Sequence, residues 1–126
     1  MTCLLDTHFL VWITQKSSRL RNYPWLRQYE PWGVSAVSLF EIQLLSEAGR
    51  IPLSNPRFMD ALMTDPRFKV DEVSIVALIQ RALDLNWTRD PFDRLIAAHS
   101  RLRRVPLCSV DSVILANHKL LLPELR

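Results

Sequence analysis

The apolar run Cys3-Leu4-Leu5 stops at Asp6, and Thr7-His8 then leads into Phe9-Leu10-Val11-Trp12-Ile13, which is long enough to begin a helix. This stretch constrains the chain more than any other. A short, uninterrupted apolar run reads as a strand buried on both faces, and such strands belong to parallel sheets covered by helices. An acid closing that strand lies at the rim where open α/β sheets bind ligands. Taken alone, Asp6 also fits an ordinary helix N-cap. A chemical reading needs further acids at the same rim.

The alternation continues along the chain. Residues 33–37 read as a second short strand, and Ser38-Leu39-Phe40-Glu41 opens a helix to Ala48 with Gly49 at its C-terminal cap. The Trp/Tyr/Pro-rich stretch from Tyr23 to Trp32 reads as irregular and partly helical. Pro52 and Asn55-Pro56 punctuate the chain before a short helix through Met63, and residues 67–70 follow the Asp65-Pro66 turn as a third strand. Apolar residues at 75, 78, 79, 82 and 85 form a helical stripe. Asp90-Pro91-Phe92-Asp93 starts the clearest helix, and residues 106–110 form a fourth strand ending at Asp111. The tail holds a short helix and a last strand near 120–122. The expected fold is one domain over residues 1–126. It is an α/β chain, a three-layer α/β/α sandwich on a mostly parallel central sheet of four to five strands.

Composition narrows the function classes. Although 48% of residues are hydrophobic, no run approaches the roughly 20 residues of a membrane span. The N-terminus has no basic leader, so a soluble, cytoplasmic protein is expected. The formal charge is +3, and thirteen of the sixteen basic residues are Arg. Guanidinium groups suit phosphate oxygens and bases, although the base composition of the source genome gives the same bias. Cys3 and Cys108 are too few for a disulfide framework and lack metal-ligand spacing; both read as small buried hydrophobes.

Four acids carry the chemical argument. Cys3-Leu4-Leu5-Asp6 and Cys108-Ser109-Val110-Asp111 each place a Cys three residues before an Asp. If these strands pair in parallel, the two carboxylates are expected at one height, about 5 Å apart. Ser38 and Glu41 match a capping box, and Asp90-Pro91-Phe92-Asp93 places acids at N-cap and N3 around a Pro at N1. Both Glu41 and Asp93 could simply satisfy backbone amides. In an alternating α/β chain, however, helix starts follow strand ends, so caps and ligand crevice share one place. Four carboxylates there would raise one another's pKa unless a cation neutralises them, and the hard ion Mg²⁺ fits an all-oxygen set. Two such ions support phosphodiester hydrolysis. A metal-free ribonuclease would rest on His8, His99 or His118 instead. Of these, His99 continues the apolar face of its helix and reads as core.

At these residues the chain resembles the PIN-domain nucleases, specifically the VapC ribonuclease toxins of type II toxin–antitoxin pairs. The matching segments are Leu4-Leu5-Asp6-Thr7-His8 with Trp12, Ser35 to Ile42 followed by Gly49-Arg50-Ile51-Pro52-Leu53, Arg89 to Ala98, and Pro106 to Asp111. The resemblance implies a Mg²⁺- or Mn²⁺-dependent endoribonuclease that inhibits translation and growth. Its catalytic, metal-binding quartet would be Asp6, Glu41, Asp93 and Asp111. Thr7, Ser38, Asp90 and Ser109 would support those acids through hydrogen bonds. Arg89 and Arg94 beside the acidic helix start are candidate RNA contacts. Implied partners are RNA, with tRNA among the candidates, a cognate antitoxin, and a second copy of the chain. Ser109 stands where the family usually has Thr, Phe40 where Trp is common, Leu45 where many members carry Lys, and Thr88 where many carry His.

Other readings remain open at this point. A housekeeping PIN-domain RNA-processing nuclease or a catalytically inactive PIN-like binding module would share the pattern. A receiver-type phospho-acceptor domain would need adjacent acids on the first strand and a Lys on the last, and neither is present.

Overall fold

The structure, a computed structural model, describes residues 1–53 and 55–126. Its strands are β1 (Leu4–Leu5), β2 (Trp32–Ser35), β3 (Phe68–Asp71) and β4 (Leu107–Cys108). They form one sheet in the order β3-β2-β1-β4, and every pairing is parallel. An isolated parallel bridge from Leu107 to Leu121 extends the sheet where a last strand was expected. Helices α1 (Thr7–Thr14), α2 (Ala36–Glu47), α3 (Asn55–Thr64), α4 (Ile75–Ala82), α5 (Pro91–Arg103) and α6 (Ser112–Asn117) supply the crossovers. Two 3₁₀ helices, Ser18–Asn22 and Pro24–Tyr29, fill the irregular aromatic stretch.

Side chains alternate across a strand, so neighbours in β1 and β4 serve opposite faces. Leu5 and Cys108 join Phe9, Leu10, Leu39, Ile42, Phe58 and Leu62 in one core layer. Leu4 and Leu107 join Ile96, Ile114 and Leu121 on the other face, where α4, the turn after it and α5 add Leu78, Ala82, Leu85, Ala97 and Ala98. Both cysteines are free and buried; burial pushes the Cys3 thiol up to about 12 and the Cys108 thiol higher still. They serve as packing residues, as expected. Gly33 lies where a Cβ would come within 2.9 Å of the Cys3 carbonyl oxygen, so the β1–β2 approach requires glycine there.

Several boundaries differ from the sequence reading. Strand β2 ends at Ser35 and α2 begins at Ala36, two residues before the expected Ser38. Ser35 provides the cap by accepting the Val37 amide at 3.2 Å, which holds β-branched Val37 in the helix. Gly49 follows the helix end with φ of +72°, the left-handed conformation that ends many helices. The β1–β4 register also departs from expectation: Leu5 pairs with Cys108, so Asp6 lies level with Ser109 and Asp111 comes two residues later. The Asp6 amide donating to the Cys108 carbonyl at 2.9 Å fixes that offset.

Candidate active site

All four strands end in polar or acidic residues on one rim, since a parallel sheet points every carboxyl end the same way. Asp6 follows β1 and is 2% exposed. It caps α1 by accepting the Thr7 amide on Oδ1 at 2.7 Å, and Ser109 Oγ donates to its Oδ2 at 2.7 Å. Burial is the main cause raising its pKa, with Asp111 adding to it; Ser109, His8 and the Thr7 amide pull the other way.

Glu41 lies in the second turn of α2, so it is not the N3 partner of a capping box as its spacing with Ser38 suggested. That removes the purely structural explanation for its carboxylate. Its Oε1 is buried and has no hydrogen-bond partner among the described residues. Burial raises its pKa, helped by Asp6 and Asp90 and partly offset by the Thr7 side chain and His8. Ser38, buried one turn earlier, accepts the Thr7 hydroxyl at 3.0 Å and pins α1 to α2 beside the acids.

Asp93 occupies the first turn of α5. Asp90 is the cap, its Oδ1 accepting the amides of Phe92 and Asp93 at 2.9 and 3.1 Å, so Asp93 is left to face the rim. Burial pushes its carboxyl up to about 7, and Asp90, Asp6, Asp111 and Glu41 all push in the same direction. That one group senses acids from three other segments, which brings the predicted quartet into a single electrostatic neighbourhood. Asp111 caps α6 through Oδ1, accepting the amides of Val113 and Ile114 at 3.0 Å each. Its own amide donates to Ser109 Oγ at 3.1 Å.

The set is all carboxylate and hydroxyl oxygen, the donor chemistry of Mg²⁺ or Mn²⁺. An unpaired buried Glu41 oxygen and an Asp93 raised by burial and then by its acidic neighbours fit a site built for a cation. Among the described residues, no three His, Cys, Asp or Glu side chains converge as a formed metal cage.

The arginines behave differently from each other. Arg89 is exposed beside the start of α5. Arg94, expected as an RNA contact, instead donates to the Ala82 and Leu83 carbonyls at 2.8 and 3.1 Å. It clamps the end of α4 to α5, because those helix-end carbonyls lack partners in their own helix. His8, weighed above among the histidines of a metal-free ribonuclease, is exposed and eases both Asp6 and Glu41 toward ionisation. Its position one residue after Thr7 was the available signal. His99 is core, as expected, but it is polar core. Its ring bonds Ser35 Oγ at 3.0 Å and Asp71 Oδ2 at 2.9 Å, and Arg103 also pairs with Asp71 at 2.9 Å. Asp71, the last residue of β3, is thereby paired with His99 and Arg103.

A parallel α/β/α sandwich with a carboxylate-lined rim at its strand ends defines the class. The PIN domain profile matches residues 3–118, and the chain belongs to the PIN domain family. Its fold is similar to VapBC2 from Rickettsia felis bound to a DNA fragment from their promoter. The TM-score there is 0.65 at 19% identity, covering 96% of each chain. It is also similar to a toxin–antitoxin complex from Klebsiella pneumoniae, with a TM-score of 0.59 at 18% identity over 87% of each chain. No curated protein matches the chain.

Proposed function

We propose that this chain is a Mg²⁺- or Mn²⁺-dependent endoribonuclease acting as the toxin of a toxin–antitoxin pair. The observation that carries the reading is half-buried Asp93 of a PIN domain, its carboxyl raised to about 7 first by burial and then by Asp90, Asp6, Asp111 and Glu41. Bound divalent metal supplies Lewis-acid polarisation of a phosphoryl oxygen and a more acidic water. The chain's own part is to hold Asp6, Glu41, Asp93 and Asp111 on rigid element ends. Ser109 orients Asp6, and Asp90 takes the helix amides so that Asp93 stays free. Exposed His8 adds an imidazole beside Asp6 and Glu41 at the same rim.

Partners follow from what remains uncovered. Exposed Phe40 of α2 and Ile75 of α4 line a cavity of about 640 Å³, and Val76, Ile79 and Leu83 are further exposed apolar side chains of the α4 region. Such a surface suits a partner more than solvent. A second copy of the chain and an antitoxin segment are the proposed occupants, and the antitoxin complexes among similar structures support the latter.

RNA cleavage tests the reading. Asp93→Asn, which keeps the helix start and its cap, is expected to reduce cleavage at least about 100-fold with an unchanged circular dichroism spectrum. EDTA should stop the wild-type reaction, and added Mn²⁺ or Mg²⁺ should restore it. The products should carry 5′-phosphate and 3′-hydroxyl ends. Wild-type cleavage by Asp93→Asn, or cyclic phosphate ends, would remove the metal-site proposal.

A further inference from the structure

Helices α4, α5 and α6 all start at the acidic rim, so their carboxyl ends lie at the opposite edge of the sheet. There they surround a cavity of about 480 Å³. Arg81, Arg101, Arg104 and Lys119 line it, with Trp87 on the same wall and Asp84 as its sole lining carboxylate. The ion pairs among the described residues are Arg67–Asp65 and the pairs of Asp71 with His99 and Arg103, so the four cations have no acidic partner among them.

Helix dipoles account for part of this. Each helix C-terminus carries roughly −0.5 charge, so three supply about −1.5. Four cations against one acid leave +3, about twice that amount. Backbone conformation adds a second oddity: Arg104 ends α5 with φ of +54°, where glycine is the low-cost choice. Arg104 thus lines the cavity from a backbone conformation that favours glycine. Buried His118 forms part of the wall. Burial and then Arg101 push its ring down to about 4, so it stays neutral, with Nε2 paired to Ser100 Oγ at 3.0 Å.

We propose that this cavity binds phosphate groups, carried either by a free nucleotide or by a nucleic-acid strand. Arginine forks match phosphate oxygens in pairs, and an indole beside them offers a base a stacking surface. The volume falls within the roughly 300–1,000 Å³ range of small-ligand sites. The site is separate from the acids. At 1.5 Å per residue, Arg101 and Arg104 lie roughly 12–16 Å along α5 from Asp93. The proposal therefore goes beyond the nuclease reading and does not depend on it.

Binding is measured on the wild-type chain in EDTA, so no cleavage is required. The probes are a labelled single-stranded RNA of about 12 nucleotides by anisotropy, and AMP and inorganic phosphate by the Trp87 indole resonance. Arg101→Glu with Lys119→Glu, both exposed positions, is expected to weaken RNA binding at least about tenfold and to lower the salt slope by about 1.4. The equal charge change Arg21→Glu with Arg27→Glu serves as control and should weaken it far less. Arg104→Gly, which suits the backbone there, should weaken binding about threefold at an equal or higher Tm, and carries the test if the double variant misfolds. RNA binding that depends on the pocket identifies a strand as ligand; AMP binding alone identifies a free nucleotide. Either supports the proposal. Equal loss in the control, no response to any phosphate probe, or preference for polyglutamate overturns it. Metal-dependent cleavage, assayed separately, would stand or fall on its own.

Discussion

The hydroxyl of Ser109 donates to Asp6 Oδ2 at 2.7 Å and accepts the Asp111 amide at 3.1 Å, so one small side chain couples the acid after β1 to the acid after β4. Ser109→Ala would leave a buried carboxylate oxygen short of a donor. A loss of about 1–3 kcal/mol in unfolding free energy is expected, measured by urea denaturation, together with a further rise of the Asp6 pKa. Asp93 sets a pH signature of its own. Its folded pKa, about 7, lies above the ordinary carboxylate value of 3.8, so the native state binds the extra proton between these limits. Stability from this group is therefore greatest below about pH 4 and declines as pH rises toward 7. After solvent screening the effect is about 1–2 kcal/mol. His118, held at about 4, works in the opposite direction over an overlapping window. The informative quantity is thus the Tm difference between Asp93→Asn and the metal-free wild type. It should grow in favour of the variant from pH 5 to pH 7.5. A flat difference would mean that Asp93 titrates normally.

Element ends explain what could be read from residues and what could not. Asp90-Pro91-Phe92-Asp93 announced its helix start correctly because cap, Pro and N3 acid are local features. Ser35 and Ser38 are both competent caps three residues apart, and sheet pairing of Val34 with Val70 decides for Ser35. Strand register is likewise invisible locally. The repeated Cys-to-Asp spacing suggested carboxylates at one height, whereas backbone pairing aligns Asp6 with Ser109. Asp6, Asp93 and Asp111 were legible because each closes a strand or opens a helix, whereas Glu41 lies a turn inside α2. The hydrogen bonds of Arg94 could not be read locally, because the Ala82 and Leu83 carbonyls it reaches belong to the preceding helix end. Cap and charge at Asp90 can be separated. Asp90→Asn keeps the acceptor for the two amides and should leave Tm unchanged while lowering the Asp93 pKa, followed by carboxyl NMR titration. Asp90→Ala should also cost about 1 kcal/mol.

At the scale of the whole molecule, two faces of opposite chemistry flank the sheet: an acidic rim at the strand ends and an arginine-lined cavity at the far edge. At the rim end of α4, exposed Ile75 and Val76 offer part of the apolar surface proposed above for a second copy of the chain or an antitoxin segment. Ile75→Asp with Val76→Asp should convert a concentration-dependent dimer into a monomer in sedimentation velocity, with little change in monomer Tm. A wild-type chain monomeric at all concentrations would remove that part of the proposal. One feature of the topology has a temporal meaning as well. The Asp6–Ser109 bond spans 103 positions, and β1 waits for β4 to complete its pairing. Long-range parallel contacts of this kind form late in folding. A ribosome translating this message would hold an incomplete centre until the segment through Asp111 had left its exit tunnel. The nascent polypeptide would therefore be inert for as long as it stayed attached to the ribosome.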